Sequence, residues 1–121
     1  MAYVMFEYDR PTETHNWNSY NQQVRDWIAQ LLQTPGAMSF MAYRTADGAS
    51  PNTITMLEFH TLEAARQAVG SEPVKAVLQA LQSVEVTTRT LVVERSPFTP
   101  EPIRGRSGDV DGAPSTLTTL S

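Results

Sequence analysis

Hydrophobic and polar positions follow two periods along this chain, and the period changes where turn residues stand. Residues 2–8, "AYVMFEY", are apolar on both alternating faces, with Tyr3 and Met5 on one and Val4, Phe6 and Tyr8 on the other. A strand of that kind is covered on both sides. Pro11 closes it, and a polar loop with several possible helix caps follows. From about Trp17 to Gln33 the period becomes 3.6, which places Tyr20, Val24, Trp27, Ile28 and Leu31 on one helical face. The stop signal is "TPG" at 34–36. Residues 37–44 read as a second strand, "TADGASPN" as a turn, and "TITMLEFH" as a third strand. In that third strand Ile54, Met56 and Glu58 share one face, and Thr55, Leu57 and Phe59 the other. Thr61 is placed to cap a helix with Glu63 in its first turn. Gly70 interrupts it, Ser71 is a candidate second cap, and Val74, Val77, Leu78 and Leu81 resume the stripe. A last strand spans 87–95.

The order β–α–β–β–α–β with right-handed crossovers predicts an α+β, ferredoxin-like sandwich: a four-stranded antiparallel sheet with two helices on one face. The other face is apolar too, more so than a soluble monomer ordinarily tolerates. Its cheapest cover is a second copy packed sheet to sheet about a two-fold axis. Beyond residue 96 the composition shifts. The segment 97–121 is rich in Pro, Gly and Ser and has no periodicity, so it reads as a partly extended or disordered tail behind one domain at 1–96. Phe98 and Ile103 are the tail residues suited to anchor it to the body.

Composition narrows the chemistry. There are no cysteines, which excludes disulfides, thiolate metal sites and cysteine nucleophiles. The net charge is −4, and the cations, eight arginines and Lys75, form no cluster. Neither nucleic acid nor anionic lipid is expected as a partner. The short apolar start lacks the form of a signal peptide or membrane span, so the expected location is cytoplasmic.

The run "PNTITMLEFHTLEAARQAVGSEPVKAVLQAL" resembles the antibiotic-biosynthesis-monooxygenase-like group of the dimeric α/β-barrel superfamily. The shared features are a strand ending in a Glu–aromatic pair, "EAA" opening a helix, and a break at "SEP" before a second helical turn. "YVMFEYDRP" and "GAMSFMAYR" are similar to the group's first two strands, so the resemblance covers about 2–95. It implies a homodimer whose sheets close into a barrel, with a pocket between sheet and helices in each subunit. Relatives include cofactor-free oxygenases of aromatic polyketides, haem-degrading oxygenases, muconolactone isomerases and polyketide cyclases. The haem-degrading members carry an asparagine, a tryptophan and a histidine at positions that fall here near Tyr8–Asp9, at Phe59, and at 69–74, where no histidine stands. The plant-type cyclases place a histidine where this chain has Val74.

The function implied is a small-molecule enzyme of the cofactor-independent monooxygenase-like type, acting on an aromatic or polyketide-derived substrate. Its alternatives are an isomerase or cyclase relative and a non-catalytic dimeric binding or stress-related module. No cofactor and no metal is expected, since the two histidines are far apart and lack spaced carboxylates. Tyr8, Tyr20, Trp27 and Phe59 form the candidate substrate-binding group, because buried hydroxyls and an indole N–H need partners that a planar ligand supplies. His15, in the loop before the first helix, and Tyr8 are the candidate acid/base groups. His60 ends the third strand on the face of Met56 and Glu58 and reads as structural. Glu58 and Arg89 or Arg44 are expected to look into the barrel as an ion pair.

Overall fold

The computed structural model describes residues 1–11 and 17–109. The candidate His15 lies outside the described residues. The elements are β1 (Ala2–Tyr8), α1 (Trp17–Leu31), β2 (Ser39–Arg44), β3 (Thr53–Phe59), α2 (Leu62–Val69), α3 (Glu72–Ser83), β4 (Thr88–Glu94) and α4 (Arg106–Asp109). The four strands make one antiparallel sheet in the order β2-β3-β1-β4, the ferredoxin-like arrangement. The expected second helix is two segments. Thr61 caps α2 by accepting from the Ala64 N–H at 3.1 Å. Ser71 does not cap α3; its hydroxyl donates back to the Ala68 carbonyl at 2.6 Å, which ties the break to the end of α2.

The helix side of the sheet carries the core. Val4, Leu57, Phe59 and Val74 are fully buried, with Ala2, Phe6, Ala65, Ala68, Val77 and Leu81 around them. Register sets the rows on that side. Arg44, Thr53, Tyr8 and Thr88 cross the sheet at one end, then Ala42, Thr55, Phe6 and Thr90, then Phe40, Leu57, Val4 and Val92. Phe59 and Ala2 pair at the far end.

The helix-free side is also largely apolar. Its central row is Met41, Met56, Met5 and Leu91, one residue from each strand, with Tyr43, Ile54, Tyr3 and Val93 beside it. Glu7 and Arg89 pair on this face at 3.8 Å, and Glu58 accepts from the Ser39 hydroxyl at 2.8 Å. Glu58 and Arg89 are on this face, but the expected ion pair between them is not formed: Arg89 pairs with Glu7, its register neighbour, and Glu58 bonds Ser39. Arg44 is not on this face, because its register with Thr53 turns it to the helix side.

After β4, Arg95 donates to the Pro100 carbonyl at 2.9 Å and stands 3.9 Å from the Glu101 carboxylate. The expected anchors fail to bury: Phe98 is 86% exposed and Ile103 77%. The first part of the tail is held by this arginine rather than by apolar contact, and it includes the short α4. Among the described residues, no helix is long and apolar enough to cross a membrane.

Candidate functional site

Small side chains on the sheet create the site. Ala42, Thr53 and Thr55 leave the floor low where a larger residue would meet α1. The amphipathic face of α1 then roofs a cavity of about 150 Å³, with Tyr20, Val24, Trp27, Ile28 and Leu31 as one wall. Phe6 and Tyr8 on β1, Phe40 on β2 and Val77, Leu78 and Leu81 on α3 complete it. A mostly apolar space of that size encloses one aromatic ring, and because it opens to solvent the rest of a fused ligand can extend from its mouth.

Three of the four proposed aromatic residues, Tyr8, Tyr20 and Trp27, line this cavity. Tyr20 contacts Trp27 edge-on at 6.2 Å and Trp17 at 5.8 Å, so α1 carries a short ladder of perpendicular rings. Phe59 is not among the lining residues. Its ring is fully buried near Gly36 and Ala64. Tyr8 and Phe59 both end strands, but antiparallel strands end at opposite edges of the sheet. Tyr8 pairs with Thr53, six residues from Phe59, roughly 20 Å along the strand. His60 is exposed just past β3, at that far end and away from the cavity.

Further polar groups of the cavity come from positions the sequence did not single out as a site, Arg10, Asn21, Thr53 and Thr55, and from Arg44, which was expected on the other face. Arg10 is positioned through its backbone. The Asp9 carboxylate accepts from the Ser50 hydroxyl at 2.6 Å and the Asn52 N–H at 2.8 Å, and Asn52 Oδ1 accepts from the Arg10 N–H at 2.9 Å. This reciprocal clasp joins the end of β1 to the turn before β3. Both hydrogen bonds hold the Asp9 carboxyl below its usual range, Ser50 most strongly. Arg10 Nε is buried without a hydrogen-bond partner among the described residues.

Burial pushes the Tyr8 phenol up to about 12, with the neighbouring Tyr20 adding to the effect and the Arg10 guanidinium opposing it. Burial also raises Tyr20, and Arg10 again pulls downward. Tyr8 is thus a hydrogen-bond donor at neutral pH rather than a base. Folding holds the proton more tightly than the unfolded chain does. The stability this phenol contributes is complete below about pH 10 and is lost as pH rises through about 12. In a spectrophotometric titration of the tyrosines, wild type should therefore show a phenolate step near pH 12 that is absent from Tyr8→Phe. If the step that Tyr8→Phe removes lies near pH 10 instead, the phenol is not held by burial.

No protein-family model matches this chain. No curated protein matches it either. Solved structures do match, at low identity. The chain is similar to SnoaB, a cofactor-independent oxygenase from Streptomyces nogalater, determined as a mutant, at 15% identity and a TM-score of 0.56, covering 83% of this chain and 96% of that one. It is similar to an ethyl tert-butyl ether d (ethd) family protein from Bacillus halodurans at 16% identity and TM-score 0.58, covering 79% and 99%. It is also similar to a dabb family protein with a ferredoxin-like fold from Mesorhizobium loti at 13% identity and TM-score 0.59, covering 79% and 95%. Its structural neighbours thus include antibiotic-biosynthesis-monooxygenase-like proteins, and what they share with it at these identities is the ferredoxin-like fold.

Proposed function

We propose that the cavity beneath α1 binds a planar aromatic or polyketide-derived molecule, and that the protein oxygenates it in the manner of a cofactor-independent monooxygenase. The observation that carries this reading is the single-ring, mostly apolar cavity with two phenols, an indole and two arginines at its wall. The oxygenase half of the reading is supported by analogy with SnoaB. An electron-rich phenolate can reduce oxygen directly. Insertion of one oxygen atom at a ring methylene, with the other leaving as water, converts CH2 and O2 to C=O and H2O. The protein's part is a water-poor enclosure and donors such as the Tyr8 hydroxyl for developing oxyanions.

One observation favours a second reading, a binding module without catalysis. Among the described residues that line the cavity there is no carboxylate and no histidine, and Tyr8 holds its proton to about pH 12. Anthrones and hydroxynaphthalenes tested by thermal shift and in an oxygen electrode separate the two. Stabilisation with protein-dependent oxygen uptake supports the oxygenase, and stabilisation without uptake supports the binding module. A ligand at a hundred times its dissociation constant should add about 2.7 kcal/mol. If no member of either class shifts the melting temperature, both readings fall.

We further propose that the active form is a homodimer joined through the helix-free sheet face. The row Met41, Met56, Met5 and Leu91 supports this, because it would otherwise leave a continuous apolar strip across four strands in water.

A further inference from the structure

The cavity holds two cations and no anion among the described residues that line it. Arg10 is the inner of the two. It is half-buried, its Nε has lost contact with water, and no described group accepts a hydrogen bond from that atom. The acid adjacent in sequence, Asp9, directs its two oxygens to Ser50 and Asn52 and makes no ion pair with Arg10. The same clasp fixes the Arg10 backbone through Asn52, and the side chain lines the cavity. Arg44, exposed at the end of β2, adds a second positive charge at the edge of the same space. A buried, unpaired guanidinium N–H is costly, and a neutral hydrocarbon ring would leave it unpaired. A planar oxyanion matches its fork of donors, and Tyr8 and Tyr20 line the same cavity with hydroxyls able to donate.

Resting on the reading of this cavity as a ring-binding site, we propose that its ligand is an aromatic anion, an arene or polyketide bearing a carboxylate or an ionised phenol, and that Arg10 selects it. The absence of a base among the described lining groups then has a chemical counterpart. A ring that arrives ionised needs no proton abstraction, and the Arg10 charge keeps it ionised once water is excluded.

Calorimetric titration of the full chain with matched probes tests this. 2-Naphthoate is compared with 2-naphthamide, and 4-nitrophenolate above its ionisation with 4-nitroanisole. The expected result is that at least one anion binds about tenfold or more tightly than its neutral partner, the scale of one charge-assisted hydrogen bond. Preference within the naphthoate pair marks a carboxylate site, and preference within the nitrophenolate pair a phenolate site. In Arg10→Gln the anion's affinity should fall to that of the neutral probe, while the neutral probe's changes less than about twofold, and Arg10→Lys should recover part of the preference. Equal binding within both wild-type pairs overturns the proposal while leaving a ring site standing. A preference that survives Arg10→Gln but disappears in Arg44→Gln also overturns it, by moving the anion to the other arginine. If no probe binds at all, the ring-binding reading fails and this proposal falls with it.

Discussion

Phe59→Ala should cost about 3–5 kcal/mol of folding stability and lower the melting temperature by on the order of 15 °C. The ring has no exposed surface and sits in the core with Val4, Leu57 and Val74, so truncation leaves a cavity rather than a solvated gap. Collapse around that gap is restricted. Gly36, 3.5 Å from the ring by its absent Cβ, holds a left-handed φ of +85° at the turn after α1, and Ala64 is fixed in the first turn of α2. Phe59→Leu keeps most of the volume and should cost distinctly less. The informative measurement pairs stability with binding. Phe59→Leu should leave the affinity for an aromatic probe unchanged within about twofold, because Phe59 is at the other end of the sheet from the cavity. A tenfold loss of affinity in a folded Phe59→Leu protein would place the ring in the site after all.

The contrast between Tyr8 and Phe59 shows what periodicity carries and what it does not. Alternation along "AYVMFEY" and "TITMLEF" assigns faces, and the faces agree: Val4, Phe6, Leu57 and Phe59 are buried under helices, and Met5, Met56 and Ile54 face the other way. The helix period of α1 likewise brings Tyr20 and Trp27 to one wall. Face is a local property. Position along the sheet is not, because it depends on strand direction and register, and antiparallel pairing carries Phe59 away from Tyr8. Arg44 was misplaced because β2 is apolar on both alternating faces, so alternation groups Arg44 with Phe40 and Ala42 without saying that this is the face under the helices.

Arg10 was illegible for a different reason. It follows the strand and precedes Pro11, where a charged residue reads as solvated loop. Its role comes from contacts 42 residues away in sequence, between Asn52 and its own N–H. The available signal was weak: "YDRP" and "SPN" each carry an Asx residue suited to bonding the backbone of a neighbouring segment. The floor was equally quiet. Thr53 and Thr55 look like ordinary strand residues, and what makes them part of a site is the space they leave below α1.

Met56→Asp should convert a dimer into a folded monomer. Met56 is at the middle of the helix-free face, flanked in register by Met5 on β1 and Met41 on β2. In a two-fold sheet-to-sheet dimer this row faces its own copy, so one substitution buries two carboxylates without partners. Each unpaired buried charge costs several kcal/mol, enough together to move association out of the micromolar range. The monomer itself should survive, because Met56 is only half-buried in the single chain and its side chain makes no part of the helix-side core. Sedimentation equilibrium at micromolar concentration should therefore give a mass near twice 13.4 kDa for wild type and near 13.4 kDa for Met56→Asp, with unchanged far-ultraviolet circular dichroism. Arg44→Glu, on the helix side, serves as the control and should leave the mass at the dimer value. A wild-type chain that sediments as a folded monomer would sink the dimer and show that this apolar row is tolerated in water.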